Sequence, residues 1–573
     1  MRYLLRFLKP YKKELFFGPA CKLLEAVFEL IVPIVMANII DVGIAQRDSS
    51  YVLRMCGVML LLGVCGLGFS LICQYVAATC AFRFGEDLRG ALYRHINSLG
   101  YQELDKLGTA ALTTRMTNDT TMVQTGVNMF IRLAVRAPFL IIGAIIMALM
   151  LDVKLSLIFL VITPLVALLL YGVMRKTVPL YRTMQKKLER VFGLTRESLD
   201  GMRVIRACRR QKDTVAQYTA AGTALADCGT HAGRISALLN PATFLLMNFG
   251  IVAVLWFGGE RIDTGSLRVG ELTAFVNYMT QILLALVVLA QLVLLFTKAL
   301  SSADRLQEVF AVQSAMTAGT AQPRPSGNAP AVTFSHVSFS YGGAEEPALS
   351  DISFTLRPGE TLGIIGGTGS GKSTLLHLIS RFYDATSGTV SVYGQPVAQY
   401  APGALRDCIG LVPQHAVLFS GTIRDNLKRR CADATDEMLI EALKTAQAWE
   451  FVSKLPDGLE TQLVQGGMNL SGGQRQRLTI ARALVGKPPI VILDDSMSAL
   501  DYATDLALRQ ALAQDLRDSA MLLVSQRATS LLHADQILVL DDGEAVGLGT
   551  HEALLQSCTV YQEICRVQMQ QDA

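Results

Sequence analysis

Gly366-Gly367-Thr368-Gly369-Ser370-Gly371-Lys372-Ser373 carries the most specific chemistry in this sequence. Its spacing is G-x-x-x-x-G-K-S. Glycine lets a backbone curl so that successive N–H groups point inward, and such a ring of donors suits phosphate oxygens. Lys372 would reach the outer phosphates of a nucleoside triphosphate, and Ser373 would hold Mg²⁺. Thr374 follows directly and completes the candidate nucleotide-binding set.

That loop works only between a strand and a helix. Thr361–Ile365 (TLGII) is an apolar strand-like run, and Thr374–Ile379 reads as a helix whose N-terminus would add positive potential behind the phosphates. Ile490–Leu493 and Met521–Val524 are short apolar runs of the kind found in a core parallel sheet. The stretch VTFSHVSFSY, from residue 332 to 341, alternates and predicts antiparallel β-structure. Residues 331–573 therefore read as an α/β phosphate-loop domain with an antiparallel β subdomain. Residues 313–330, rich in Ala, Thr, Gly and Pro, read as a linker.

The remaining 312 residues are of another kind. Across all 573 residues 51% are hydrophobic and only 17% charged, and the mean hydropathy is +0.37, a balance that points to a membrane protein with a soluble part attached. A net charge of +4 is too mild to argue for a nucleic-acid partner. Met55–Phe82, Leu155–Met174, Ile235–Gly259 and Leu272–Thr297 contain no Asp, Glu, Lys or Arg. Ala137–Leu151, extended back over Gly126–Arg136, and a less clean first stretch, Glu14–Gly43, bring the expected spans to six. With the N-terminus inside, the internal segments hold twenty-five Lys and Arg against five outside, which orients the domain in the bilayer. The long internal segments are rich in helix formers, so the membrane helices are expected to continue into the cytoplasm and turn back. Tyr101–Lys106 and Asp200–Arg209 are candidate docking turns. The eleven cysteines show no paired framework.

Glu25 and Glu29 lie four apart on one face of the first span. An intramembrane carboxylate is costly and suggests a role such as binding a cationic substrate. Lys22, one turn earlier, offers the competing account, in which it neutralises part of that charge. Asn240, Asn248, Asn277, Gln281 and Gln291 are polar groups in the last two spans and read first as interhelical glue.

Leu470-Ser471-Gly472-Gly473-Gln474, followed by Arg475-Gln476-Arg477, resembles the signature motif of the ABC transporter ATPase family. Six membrane helices followed by one such domain resemble an exporter half-transporter, so the resemblance covers essentially the whole chain and implies a second half-transporter as partner. It further implies that Tyr341 stacks on adenine and that Gln414 and Asp494 share the Mg²⁺ site with Ser373. Ser498-Ala499-Leu500-Asp501 would cross between nucleotide domains, and Ser471 and Gly473 would face the γ-phosphate of ATP on the partner's loop.

Three positions depart from the family pattern. Asp495 stands where a glutamate normally activates water, and its carboxylate is about 1.5 Å shorter in reach, where errors of about 1 Å cost around 10²-fold. Gln526 replaces a histidine, and Gln465 a glutamate. Asp495 and Gln526 are the two catalytic candidates. The pattern implies an own site that binds ATP-Mg and hydrolyses it slowly, beside an intact signature that completes a partner's site. The expected function is a heterodimeric exporter of hydrophobic or amphipathic, drug-like substrates from a plasma membrane. A lipid or peptide exporter, an ATP-gated or regulatory subunit, and a slow homodimer are compatible with the same residues.

Overall fold

The computed structural model describes residues 3–571 apart from 315, 317–318, 324–328, 343 and 345, with the backbone alone at 402 and 569–571. Part of the expected linker thus lies outside the described residues. The chain divides into two units, 1–97 with 109–311, and 98–108 with 312–573.

The first unit is helical. Six helices, Leu4–Ile44, Ser49–Ser98, Thr109–Leu151, Val153–Asp200, Gln211–Asp263 and Val269–Ala311, are long and apolar enough to cross a membrane. All extend past the apolar runs that mark them in sequence, because helix-forming polar residues continue on either side. Leu53 and Leu60 on the second helix are 76% and 72% exposed, a surface that suits hydrocarbon rather than water. Polar side chains fasten helices to one another. Arg305 donates to both oxygens of the buried Asp119 at 2.9 and 2.5 Å, and Arg261 pairs with Asp152 at 2.5 Å. Gln281 Nε2 donates to the Glu29 carbonyl at 3.4 Å, consistent with a glue role for that glutamine. The turn at Asp200–Arg209 contains a short helix, Met202–Ala207, none of whose residues is buried.

The second unit is built on a ten-stranded sheet. Ile409–Val412, Ile490–Asp494, Ala520–Val524, Thr361–Gly366 and Gln536–Asp541 lie side by side and parallel. Ile364, Ile492, Leu522 and Leu538 are fully buried, which is why these strands read as unbroken apolar runs. Glu544–Gly549 runs antiparallel to Gln536–Asp541 and pairs parallel with Leu349–Leu356, and from there the sheet is antiparallel through Val332–Phe339, Ser387–Val392 and Gln395–Pro396. Asp436–Thr445 and Gly472–Leu484 pack their apolar faces into one cluster with Leu493 and Leu523. The fold is the one expected: six apolar helices, then a phosphate-loop domain with a mixed sheet.

One segment crosses the sequence boundary. Ser98–Gly108, which lies between the second and third membrane helices in sequence, packs as part of the second unit. It contains a short helix, Tyr101–Leu107.

Candidate nucleotide site

Parallel strands bring their carboxyl ends to one edge, and ligands of open α/β sheets bind there. Asp494 pairs in register with Val524, and Val524 with Ile364. The residues following these three strands, Asp495, Ser525-Gln526 and the glycine-rich loop, therefore emerge together. The helix behind the loop runs Lys372–Ile379, two residues earlier than its apolar pattern suggested, because Gly371 takes a left-handed φ of 91° and lets the helix start at once. A Cβ on Gly371 would stand 2.6 Å from Leu349 Cδ2 and 2.7 Å from the Ala348 carbonyl oxygen, so glycine is required on two counts. Gly366 is tighter still, with the Leu540 carbonyl oxygen 2.1 Å from any Cβ. Gly369, at φ 88°, and Gly367 have open space, so their hydrogens keep the concave face clear. Thr368 and Gly369 lie on that same turn.

Lys372 is buried within the loop it serves. Its ammonium donates to the carbonyls of Gly366 and Gly367 at 3.0 and 2.5 Å and to Ser370 Oγ at 3.2 Å, using all three hydrogens. Burial pulls this amine below its usual range, and the Asp495 and Asp494 carboxylates push the other way. Asp494 ends its strand with its carboxyl raised by burial and partly relieved by the Ser373 hydroxyl bonded to it. A hydroxyl beside a carboxylate is the oxygen donor set that Mg²⁺ prefers. Gln414 lies exposed two residues past the neighbouring strand Ile409–Val412, whose Val412 pairs with Leu493.

Asp495 has a left-handed φ of 44°. Its carboxyl is raised by burial first and by the Asp494 charge second. Gln526 Nε2 donates to Asp495 Oδ2 at 3.3 Å. Two of the three residues that depart from the family pattern are thus brought together and bonded to each other. The loop after Asp495 is tied back by Ser498 Oγ, which donates to the Asp495 carbonyl at 2.8 Å. Ala499 and the buried Leu500 follow, and Asp501 caps the next helix by accepting from Thr504 N at 3.1 Å.

Tyr341 stands just past the strand Val332–Phe339, 36% exposed. Its hydroxyl shares a 3.1 Å hydrogen bond with Thr374 Oγ1, and its ring meets Phe339 and Tyr383 edge-on at 4.8 and 5.3 Å. A ring placed beside the loop with area to spare can receive a base.

Ser471 and Gln474 form a reciprocal cap: Ser471 Oγ accepts from Gln474 N at 3.3 Å, and Gln474 Oε1 from Ser471 N at 2.9 Å. The first amides of that helix, including Gly472 and Gly473, have no carbonyl of their own turn to bond and are available to an anion. Leu470 packs against the core behind them. Among the described residues no hydrogen bond joins Leu470–Gln474 to Gly366–Thr374 of the same chain. Gln465 is exposed in a tight turn with Gly466 at φ 70°.

Three participants were not legible in the sequence. Tyr383 donates to Asp105 Oδ2 at 2.5 Å while touching Tyr341 and, at 6.3 Å, Tyr101. Tyr101 also meets Phe382 at 4.5 Å. The segment Tyr101–Lys106 is therefore fastened next to Tyr341; a Cβ on Gly342 would meet Gln102 Nε2 at 3.2 Å. His377, one turn beyond Ser373, is lowered by burial, against the pull of Asp494 and then Asp105. Gln568, on the last helix, bonds the backbone of the Gln526 loop.

In the first unit, Glu25 accepts from Lys22 at 2.5 Å, and Lys22 also donates to Ser70 Oγ at 3.2 Å. Glu29 pairs with Arg136 at 2.6 Å. These pairs take up the charge that recommended the two carboxylates as cation ligands.

Two family models match the chain: "ABC transporter transmembrane region" over residues 15–286 and "ABC transporter" over 349–498. An uncharacterized ABC transporter ATP-binding protein of Mycobacterium tuberculosis is 39% identical over 569 residues, covering 98% of this chain and 97% of that one. A multidrug efflux ATP-binding/permease protein of Mycobacterium tuberculosis is 31% identical over 97% of this chain but only 46% of its own length. A solved bacterial Atm1-family ABC exporter with ATP bound shares the fold at a TM-score of 0.82 and 23% identity, over 97% of this chain and 99% of that one. The chain belongs to the ABC transporter family, as an exporter-type half-transporter with one six-helix membrane region and one ATP-binding domain.

Proposed function

We propose that this chain is one half of a heterodimeric exporter of hydrophobic or amphipathic, drug-like molecules, and that its own site holds ATP-Mg but turns it over slowly. The observation that carries the reading is the Asp495–Gln526 pair. The short carboxylate and the uncharged amide occupy the two water-handling positions and bond each other at 3.3 Å. Phosphoryl transfer depends on placing the attacking water and neutralising charge. A carboxylate drawn back by one methylene and an amide that cannot become a cation serve both tasks poorly. The parts for binding are complete: Tyr341, the loop Gly366–Ser373, Asp494 and Gln414. The capped helix start at Ser471 is intact and would close on ATP held by a different partner. The drug-like substrate class is supported by the 31% identical relative, a multidrug efflux ATP-binding/permease protein. The Lys and Arg asymmetry supports an orientation with the ATP domain in the cytoplasm, and the setting proposed is a plasma membrane.

The test is a swap. The chain is co-expressed with the product of its genomic neighbour, and Asp495→Glu is installed with Gln526→His. ATP turnover per transporter is expected to rise several-fold. Unchanged turnover, or brisk hydrolysis by the unaltered chain alone, overturns the slow-site reading and favours a homodimer in which Asp495 itself serves as base.

A further inference from the structure

The Gln526 loop is held from outside the site. Gln568, on the helix Thr559–Gln571, donates through Nε2 to the Gln526 carbonyl at 2.6 Å and accepts through Oε1 from the Ala528 amide at 2.7 Å. One side-chain amide thus clips both sides of Arg527. The helix that carries it is anchored independently. Tyr561 and Cys565 are buried in the same cluster as Ala528 and Leu531, and the Tyr561 hydroxyl bonds His551 Nδ1 at 2.8 Å. From this loop Gln526 reaches Asp495, which lies after the neighbouring strand.

We propose that Gln568 is a positioning residue: it fixes the backbone at Gln526 and thereby aims the Gln526 amide at Asp495 and at the terminal phosphate of bound ATP. The argument is geometric. After Val524 the chain leaves the sheet and has no ladder to hold it; Ser525 N still bonds the Ile364 carbonyl at 3.1 Å. Beyond that, Arg527 N donates to Ser525 Oγ at 3.0 Å, and the next turn begins at Ala528. Without Gln568 the carbonyl of Gln526 and the amide of the buried Ala528 lose their side-chain partner, and a loop free at those two points samples many side-chain directions. A short backbone drift matters here, since errors of about 1 Å in placing a reacting group cost around 10²-fold.

The experiment uses the full chain with its partner half-transporter in nanodiscs and three single variants. Gln568→Ala removes both bonds, and Gln568→Glu keeps the acceptor for Ala528 but not the donor. Gln562→Ala is the control: it removes a comparable bond, to the Leu555 carbonyl at 2.8 Å, on the same helix away from the loop. Hydrogen exchange at Ala528 is expected to speed up about tenfold in Gln568→Ala and to stay slow in Gln568→Glu and Gln562→Ala. ATP turnover at this site is expected to fall about tenfold in Gln568→Ala, with the ATP affinity within twofold of the parent. In a Gln526→Ala background the same substitution is expected to change turnover no further, because the group it aims is gone. A Gln568→Ala variant indistinguishable from Gln562→Ala overturns the proposal, as does full additivity with Gln526→Ala. Brisk turnover in the unaltered chain sinks the slow-site reading alone; the position and effect of the clip are read against that faster rate.

Discussion

Removing one oxygen from Tyr383 isolates the bond that fastens the Tyr101–Leu107 helix beside the nucleotide site. Tyr383→Phe keeps the ring and its contacts to Tyr101 and Tyr341, and deletes only the hydroxyl that donates to Asp105 at 2.5 Å. A hydrogen bond to a charged acceptor contributes about 1.5–3 kcal/mol. This one is open to solvent, so the lower figure applies. At 1.4 kcal/mol per decade, about 1.5 kcal/mol raises the fraction of time the helix is detached roughly tenfold. The Tyr101–Phe382 contact at 4.5 Å remains and keeps the attached state dominant. Amide exchange across 101–107 in the full-length protein is the direct assay, with ATP affinity measured alongside and expected to hold within twofold. Asp105→Asn keeps a neutral acceptor, and its effect is expected to be about half as large on the free-energy scale. The double variant is expected to be no worse than Tyr383→Phe alone, since both act on one bond. Unchanged exchange in Tyr383→Phe, or additive effects in the double variant, would refute the reasoning.

Asp494→Asn is expected to separate stability from binding. The Asp494 carboxyl is raised by burial, so the folded form holds its proton more tightly than the unfolded chain. Stability of the nucleotide-free protein then falls as pH rises from the ordinary carboxylate value through the raised one, and the whole penalty is present at neutral pH. The amide removes it: a thermal melt near pH 7 should show a higher melting temperature, with the gain shrinking toward pH 4, while Mg-ATP no longer raises the melting temperature. A lower melting temperature without nucleotide at neutral pH counts against this account. In the membrane unit, Arg136→Leu leaves Glu29 without its 2.6 Å partner and should lower the midpoint of a detergent melt. Adding Glu29→Leu should restore most of that loss, because it removes the stranded charge.

The fold class and the glycine-rich loop were legible in the chain alone. G-x-x-x-x-G-K-S at 366–373 admits few structures, because a left-handed φ at Gly371 and a carbonyl 2.1 Å from any Cβ at Gly366 leave glycine alone able to occupy those positions. The apolar runs that fix six membrane helices and a buried parallel sheet are equally local, since periodicity and length suffice to mark them. Tertiary structure alone decided which distant residues meet. Nothing local marks Gln568 as the holder of Gln526, Tyr383 as the partner of Asp105, or Arg136 as the counter-ion of Glu29. Each of these pairs joins groups far apart in sequence through a single hydrogen bond or ion pair, whose geometry exists only once helices and strands have packed. Asp495 and Gln526 show the division most sharply. Their identities could be read one at a time from the chain, but the bond between them exists because parallel pairing sets the ends of Ile490–Asp494 and Ala520–Val524 side by side.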